Sequence, residues 1–494
     1  MMKPKTIWAG ILILITGFSL RIALSDTRGI IYDDAFSIFL SKQTLPDIIR
    51  GTAADTMPPL YYFLLHFWML GGGALWYLRL LSVLISVLGI ILLYLLVKSV
   101  FDERSALIAA AIASISPLQI YHAQDIRMYA LLQAGQLGFT LFFVKIWKDE
   151  ADKNRKIYWA GLILCGTAAL YTHNLAGFVL IAPAIFLVIK KKWKLLFHLS
   201  GSYLAMGLMF LPWALLLPGQ FNKIQNAFWT PRPGLVEVLQ VLIQFTSNLP
   251  LPDLTWIGAA TLLTLLILVV VILESRRIKG KGDEQLFFAV MILSAPVLTF
   301  AVSYLVRPIF LARGFLACSM FFYGYAGWVI SKRWKSVIGT FLIGCFAVSE
   351  LMGLPYQLNF NDFPRSPFKE AGNYLKVISS SGIKIIHDNK LSYFPMHYFL
   401  PNSNQLFLAD APGSINDTLA PATQEALSTF PEKDIQTAAG DANEVYFVVF
   451  NETLKEYQSL NQVHPALNWL NSHYQLLQVS PFNDLAVYHF SRLQ

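Results

Sequence analysis

The chain has 494 residues, of which 55% are hydrophobic and only 14% charged, and its mean hydropathy is +0.51. A soluble globular chain carries about 25% charged residues, so this composition excludes a soluble enzyme, a disordered chain and a disulfide-rich secreted fold. The three cysteines all lie in apolar runs, with neither a disulfide framework nor zinc-ligand spacing. The sequence therefore predicts a polytopic α-helical membrane protein.

Charge is distributed unevenly along the chain, whose formal net charge is +8. Residues 1–354 contain 30 Lys and Arg against 17 Asp and Glu, whereas residues 355–494 contain 8 against 13. Basic residues beside apolar segments indicate loops at a membrane surface rather than a nucleic-acid-binding patch. We therefore predict a membrane module at 1–354 and a soluble domain at 355–494, with membrane lipids and no nucleic acid as partners.

Apolar segments recur through the first part of the chain at the length that a bilayer requires, about 20 residues. The first segment lacks a small-residue cleavage site, so it predicts a retained helix rather than a signal peptide. The sequence predicts eleven spans, with boundaries near 7–24, 77–97, 106–121, 127–144, 157–172, 174–189, 195–217, 254–273, 285–305, 314–330 and 336–354.

The run at 58–72 has 15 residues, which is too few for a span, and its aromatic residues suit a helix lying on the membrane surface. If this run does not cross, the segments predicted to be inside contain 20 of the 30 basic residues of the membrane module. The positive-inside rule then places the N-terminus in the cytoplasm. It places the loops 25–76 and 218–253 and the C-terminal domain outside the cytoplasmic membrane.

The C-terminal part of about 140 residues alternates helical and strand patterns, which is typical of a small α/β domain. Helical spacing occurs at 368–378 and 464–474. Buried strands are indicated at 383–388, 444–450 and 485–490.

Candidate functional residues converge on four loops that are predicted to lie outside. Ionisable residues are costly at a membrane, so each is a candidate by default. In chain order the candidates are Asp33 and Asp34 after the first span, Asp125, Arg127 and Tyr129 between the third and fourth, His173 between the fifth and sixth, and Arg307 and Arg313 before the tenth.

Each candidate also has a purely structural interpretation. Asp33 or Asp34 is compatible with capping a helix that begins at Ala35, and Asp125 with capping the helix that follows it. The arginines are compatible with snorkelling to lipid headgroups, the tyrosine with an aromatic belt, and the histidine with an ordinary loop position.

These residue types nevertheless suit one kind of chemistry. A carboxylate on an outer loop deprotonates a hydroxyl or holds a divalent cation, so Asp33 and Asp125 are also a candidate cation site. Arginines at the headgroup level bind phosphate or diphosphate by paired hydrogen bonds. The pattern therefore favours transfer from a lipid-linked phosphate donor, with Tyr129 and His173 as further candidate substrate-binding residues.

Five short motifs in chain order together resemble bacterial members of the protein O-mannosyltransferase superfamily. They are YDDAFS, ADTMPPLYY, HAQDIRMYALL, LYTHNLAG and FLAR, and they span roughly residues 1–330. These integral-membrane glycosyltransferases have the GT-C fold and are related to the lipid A aminoarabinose transferase.

The resemblance implies an inverting transfer of a monosaccharide from a polyprenyl-phosphate donor to a cell-envelope acceptor. In the family an acidic pair on the first outside loop carries the catalytic acid, which Asp33 and Asp34 match. A second acid matches Asp125, and arginines that hold the donor phosphate match Arg127 and Arg313.

This sequence departs from the family pattern at two positions. The second acid of the pair is Asp34 rather than the usual Glu, and Met57 stands before the Pro pair where His is common.

Two other functions are compatible with parts of the sequence. One is a flippase for a lipid-linked glycan, although a flippase favours polar groups along the membrane depth. The other is an inactive relative whose outer domain binds cell-wall glycan.

Overall fold

The computed structural model describes residues 4–149, 152–220, 232–358, 366–378, 383–410 and 418–493. In chain order its helices are α1 (Pro4–Ile22), α2 (Tyr32–Ser41), α3 (Leu45–Asp55), α4 (Leu60–Met69), α5 (Leu75–Val100), α6 (Glu103–Ile115), α7 (Pro117–Ala123), α8 (Tyr129–Lys148), α9 (Arg155–Leu170), α10 (Gly177–Leu180), α11 (Ala182–Ile189), α12 (Trp193–Ala214), α13 (Leu235–Gln244), α14 (Leu254–Arg277), α15 (Gly282–Leu305), α16 (Leu316–Lys332), α17 (Val337–Leu358), α18 (Phe368–Ile378), α19 (Lys390–Phe399), α20 (Pro421–Leu427), α21 (Ile435–Ala439), α22 (Asn451–Ser459) and α23 (Pro465–His473). Short 3-10 turns lie at Asn174–Ala176 and Ala312–Phe315. The strands are β1 (Ile383–His387), β2 (Gln405–Phe407), β3 (Glu444–Phe450), β4 (Tyr474–Phe482) and β5 (Leu485–Arg492).

The chain folds as two compact units. The membrane unit consists of the described parts of Met1–Asp26, Met57–Gly219 and Thr230–Asn359. The C-terminal unit contains Thr27–Thr56 together with the described residues from 366 onward. Helices α2 and α3, which belong to the first predicted outside loop, therefore group with the C-terminal residues, whereas the sequence divides the chain only at 354.

The membrane unit has fewer long apolar helices than the eleven predicted spans. Seven described helices are long and apolar enough to cross a bilayer, or eight if α6 and α7 form one bent span. Several other predicted spans are shorter, such as the 16-residue α9, or are interrupted, as at 174–189. The predicted count of eleven is thus not confirmed. The 58–72 run forms α4, whose 10 residues are too few to span, as predicted.

One interruption has a clear chemical cause. The span predicted at 106–121 is α6 followed by α7, and the two helices are bent by 60° at Ser116. Pro117 occupies the first position of α7, and proline has no backbone N–H with which to continue the α6 hydrogen-bond ladder. The bend therefore follows from one residue within an apolar run.

Close helix contacts and one buried cation organise the core of the membrane unit. A Cβ at Gly327 would meet the Ala109 nitrogen at 2.8 Å, so only glycine lets α16 lie this close to α6. Arg21 is fully buried, and its guanidinium donates to the Ser86 hydroxyl at 2.9 Å and to the carbonyls of Ala113 and Ser114, each at 2.8 Å. Arg21 thus ties α1 to α5 and α6.

The C-terminal unit contains a five-stranded mixed sheet in the order β2-β1-β3-β5-β4. Strand β1 is parallel to both β2 and β3, whereas β5 is antiparallel to β3 and β4. Both faces are covered: Val445 and Phe447 pack into one core, and Tyr446 and Val448 into the other. This alternation is the period of two that a strand imposes.

The sequence-predicted elements of this unit at 368–378, 383–388, 444–450, 464–474 and 485–490 are confirmed, except that Tyr474 begins β4 instead of ending a helix. Strands β2 and β4 were not predicted. Strand β4 lies at an edge of the sheet and is largely exposed, so it lacks the apolar pattern of a buried strand.

Candidate functional site

The turn between α7 and α8 carries three of the predicted site residues. It spans residues 124–128, from the end of α7 at Ala123 to the start of α8 at Tyr129. Gln124 anchors the turn, because its side-chain amide donates to the carbonyls of Arg21 at 3.0 Å and Ala23 at 2.7 Å. The turn is therefore held against the end of α1.

Asp125 lies in this turn and does not cap α8. The N-cap position of α8 is Met128, three residues later, so the capping interpretation is wrong. The Asp125 carboxylate instead lies 2.8 Å from Nδ1 of His122, the penultimate residue of α7. Both residues are buried. An imidazole N–H at this distance holds a buried carboxylate in one orientation.

Arg127 is buried two residues further along the turn. Its Nη1 donates a hydrogen bond of 3.0 Å to the hydroxyl of Tyr62, which lies in α4 and is fully buried. A side chain that snorkels to lipid headgroups keeps its charged end in water. The buried guanidinium of Arg127 therefore does not fit that alternative.

Tyr129 is the centre of a group that joins three separate turns. The Arg313 guanidinium carbon lies 5.7 Å from the centroid of its ring, in cation–π range. The His173 ring centroid lies 6.3 Å away, and the His122 ring packs edge-on at 5.3 Å. Tyr129 is buried and Arg313 is half-buried. The charge of Arg127 also acts on His173. We call this group the arginine cluster, and its members are His122, Arg127, Tyr129, His173 and Arg313.

His173 is neutral in this cluster. Burial lowers the pKa of the imidazole to about 3, and the charges of Arg313 and Arg127 add to the effect. The backbone N–H of Leu175 donates to Nδ1 at 3.0 Å, so Nδ1 is an acceptor and the proton is on Nε2. His173 thus adds a neutral N–H donor to the two guanidinium groups of the cluster.

The acidic pair lies in the C-terminal unit. Asp33 and Asp34 occupy the first turn of α2, which begins at Tyr32, so a helix starting at Ala35 is wrong. The N-cap position is Ile31, with no side-chain cap hydrogen bond, and the capping interpretation of the pair is also wrong. Asp34 is fully buried and Asp33 is half-buried. Acidic side chains in the first turn are stabilised by the helix dipole.

No metal site is evident in the part of the chain that the structure describes. There, no group of three or more His, Cys, Asp and Glu side chains is arranged to hold a metal ion. The cation site at Asp33 and Asp125 stays a prediction.

Comparison with known proteins identifies the fold. Residues 56–217 match the family described as dolichyl-phosphate-mannose-protein mannosyltransferase. This range includes Tyr62, Asp125, Arg127, Tyr129 and His173. No curated protein sequence matches the chain significantly.

Solved structures match nearly the whole chain. ArnT from Cupriavidus metallidurans in the apo state aligns with a TM-score of 0.63 and 13% identity, over 98% of this chain and 97% of that one. The chain has a GT-C fold. The same ArnT bound to undecaprenyl phosphate gives a TM-score of 0.60 at 12% identity, over 98% and 97% of the two chains.

A second GT-C protein is also similar. The archaeal oligosaccharyltransferase AglB from Archaeoglobus fulgidus, in complex with an inhibitory peptide and a dolichol-phosphate, aligns with a TM-score of 0.54 and 11% identity, over 99% of this chain and 75% of that one. The family match and the ArnT structure confirm the predicted resemblance to GT-C glycosyltransferases related to protein O-mannosyltransferases.

The GT-C fold brings two residues into the site that the sequence did not single out. Tyr62 was interpreted only as an interfacial aromatic, and His122 was not considered. His122 had a local signal, since it lies one helical turn before Asp125 in HAQD. Tyr62 had no local signal in the sequence, because it lies 65 positions before Arg127. The structure thus places Asp125, Arg127, Tyr129, His173 and Arg313 in the membrane unit, at the ends of neighbouring helices.

Proposed function

We propose that this chain is an inverting glycosyltransferase that moves a monosaccharide from a polyprenyl-phosphate donor to a hydroxyl group of a cell-envelope acceptor. The observation that carries the proposal is the arginine cluster. Arg127 and Arg313 supply paired N–H donors, and neutral His173 adds an N–H donor without adding charge. The complexes of similar proteins with undecaprenyl phosphate and dolichol-phosphate support a lipid phosphate as the ligand.

The proposed reaction is a direct displacement. A carboxylate, for which Asp33 is our first candidate, accepts the proton of the acceptor hydroxyl. The acceptor oxygen then forms a bond to the anomeric carbon, and the bond from that carbon to the phosphate oxygen breaks. The phosphate leaves with the electron pair, and Arg127 and Arg313 stabilise its increasing negative charge. Attack from the side opposite the phosphate inverts the anomeric centre.

The remaining site residues have supporting roles in this proposal. Asp34 and Asp125 are further candidate acids, and His122 fixes the orientation of Asp125 through its 2.8 Å contact. Tyr129 and His173 contact the donor, with Tyr129 also holding the Arg313 guanidinium against its ring.

A flippase is the main alternative, and the environment of Arg21 gives it no support. A transport path requires charged groups that face a cavity within the membrane. Arg21 is buried among protein atoms, and its guanidinium donates to one hydroxyl and to backbone carbonyls. This pattern indicates a structural anchor rather than a position on a path.

A transfer assay tests the proposal directly. The full chain in lipid nanodiscs is incubated with a panel of radiolabelled polyprenyl-phosphate monosaccharides and fractionated cell-envelope acceptors. We expect label to move to an acceptor fraction with release of polyprenyl phosphate, and Arg127→Ala to abolish the transfer. A second assay uses the chain in proteoliposomes. Movement of labelled donor across their membrane without covalent transfer would instead support the flippase.

We also propose that the chain lies in the cytoplasmic membrane with the C-terminal unit outside. Asn402 is exposed, so Asn402→Cys provides a position for a membrane-impermeant thiol reagent. We expect labelling in intact spheroplasts. Labelling only after the membrane is opened would reverse the proposed orientation.

A further inference from the structure

Helix α2, which carries Asp33 and Asp34, packs against α19 through two matching stripes of side chains. On α2 the stripe consists of Tyr32, Phe36 and Phe39, and on α19 its centre is Phe394. The three α2 residues are spaced i, i+4 and i+7, which places them on one face of a helix. The acidic pair is thus connected to the C-terminal unit by a defined helix–helix contact.

Phe394 contacts every residue of the α2 stripe. Its ring centroid lies 5.5 Å from that of Tyr32, 6.2 Å from that of Phe36 and 5.8 Å from that of Phe39. The rings of Tyr32 and Phe39 meet it edge-on, the favourable geometry for aromatic pairs. Phe394 and Phe36 are each 1% exposed, so the centre of this contact is shielded from water.

The α19 stripe continues to both sides of Phe394. Lys390, one turn earlier, places its ammonium 5.4 Å from the centroid of the Tyr32 ring. His397, one turn later, lies 5.3 Å from the ring of Phe39. The contact therefore begins at the residue directly before Asp33 and extends over two turns of α2.

Helix α3 holds the other end of α2 in the same unit. The hydroxyl of Thr423 in α20 donates to the carbonyl of Gly51 in α3 at 3.3 Å. A Cβ at Gly51 would collide with Leu40 of α2, and it would lie 3.6 Å from Ala426 of α20. Both helices of the first loop are thus fixed to elements from residues 390–427.

Helix geometry shows what this contact controls. Successive residues turn by about 100° around a helix axis, so Asp33 lies about 100° and Asp34 about 200° from Tyr32. Asp34 shares the side away from α19 with Ser37 and Ser41, all of them at most 1% exposed. The aromatic face of α2 therefore lies against α19, and any rotation of the helix about its axis would redirect both carboxylates.

We infer that α19 is a positioning element of the active site and that Phe394 is its principal positioning residue. The C-terminal unit then has a part in catalysis besides any contact with the acceptor. This inference rests on the proposed function, since it assigns Phe394 a role through Asp33 and Asp34. A displacement of about 1 Å of a catalytic group costs on the order of a hundredfold in rate.

The test compares Phe394→Ala with Phe490→Ala in the full chain in nanodiscs. Phe490 is an equally buried phenylalanine of the same unit, and it packs in the core on one face of the sheet. Both variants lose the same side-chain atoms, so both lower the melting temperature. We expect only Phe394→Ala to accelerate amide hydrogen exchange in residues 32–41, by at least tenfold. Below both melting transitions, only this variant lowers kcat by tenfold or more, with the donor KM unchanged. Phe394→Leu, which retains bulk, should recover most of kcat.

The two readouts separate this inference from the proposed function. Hydrogen exchange does not require transfer activity, so unchanged exchange in residues 32–41 of Phe394→Ala overturns the inference by itself. Faster exchange with an unchanged kcat overturns the catalytic role of the contact. An equal loss of kcat in Phe490→Ala would show that the effect is one of general stability. Absence of transfer by the wild-type chain contradicts the proposed function, whatever the exchange data show.

Discussion

The Arg127 guanidinium donates a hydrogen bond to the hydroxyl of Tyr62, with 3.0 Å between Nη1 and the phenol oxygen. This bond connects the turn before α8 to α4, a helix too short to span a bilayer. It is a hydrogen bond with a charged donor in a buried place, the kind that orients a side chain most strongly. Helix α4 thus has a part in the candidate site as the support of Arg127.

Replacement of Tyr62 by Phe should weaken donor binding. Loss of a hydrogen bond to a charged group costs about 1.5–3 kcal/mol, which corresponds to roughly a tenfold to hundredfold change. Because Arg127 loses only its support and keeps its charge, we expect the donor KM to rise at the lower end of that range, with kcat little changed. Steady-state kinetics at varied donor concentration measures both constants.

Tyr61→Phe is the matched control, since Tyr61 is equally buried and bonds to the neutral Ser82 hydroxyl at 2.9 Å. Equal effects of the two substitutions would remove Tyr62 from the donor site.

Asp33→Asn should lower kcat by about 10²–10⁴-fold, the usual contribution of a positioned general base. Asp34→Glu keeps the carboxylate and lengthens the side chain by one methylene group, so it should retain activity. The control is Asp47→Asn, which changes an acid in the first turn of α3 in the same unit. A fully active Asp33→Asn variant would shift the role of base to Asp34 or Asp125. Complete loss in Asp34→Glu would show that the buried site accepts only the shorter side chain.

Arg313→Lys should raise the donor KM about tenfold to a hundredfold, because an ammonium group cannot reproduce the paired donors of a guanidinium. Lysine keeps the positive charge near the Tyr129 ring, so the substitution separates the geometry of the donors from the charge. Arg276→Lys, at an exposed arginine of α14 in the same unit, is the control. If the donor KM is the same in the wild type and in Arg313→Lys, Arg313 does not bind the donor phosphate.

Two substitutions of His173 separate the roles of its two ring nitrogens. Asn places an acceptor near Nδ1 and keeps the bond from the Leu175 N–H, whereas Gln places an amide donor near Nε2. We expect His173→Gln to retain more activity and His173→Asn to retain more thermal stability. Because burial holds the pKa of this histidine near 3, its protonation should not shape the activity profile between about pH 5 and 8. An acid limb in that range that disappears in His173→Gln would show that the residue carries a proton during the reaction.

The stability of the C-terminal unit should fall in acid because of His387. Burial lowers the pKa of this histidine to about 3, and the nearby His397 adds to the effect, while the hydrogen bond to Gln405 opposes it. The unfolded chain binds the proton near the ordinary value of 6.5, so it binds more protons than the folded chain between these values. The contribution of the neutral imidazole is complete above about pH 6.5 and is lost as the pH falls toward 3.

Melting temperatures of the full chain between about pH 4 and 8 test this prediction. We expect His387→Gln to flatten the dependence on pH, since glutamine does not titrate. The exposed His473 supplies the control His473→Gln, which should leave the slope unchanged. Identical slopes in wild type and His387→Gln would show that another group causes the loss in acid.

The sequence by itself determined the membrane class, the α/β character of the C-terminal part and the motifs that carry the candidate site. These properties depend on composition and on local periodicity, which a single chain displays directly. The number of spans was harder to predict. Apolar windows such as 106–121 and 174–189 have the hydropathy of a span, but their helices bend or break, as at Pro117.

Only the tertiary structure decided which distant residues meet. The bond from Arg127 to Tyr62 and the packing of Phe394 on Tyr32 join residues that are far apart in the chain and lie in separate helices. Neither pair has a local pattern that links its members, because a contact between two helices requires only that each presents a suitable side chain. For the same reason, the grouping of α2 and α3 with the C-terminal residues was invisible in the sequence, where more than 300 residues separate them.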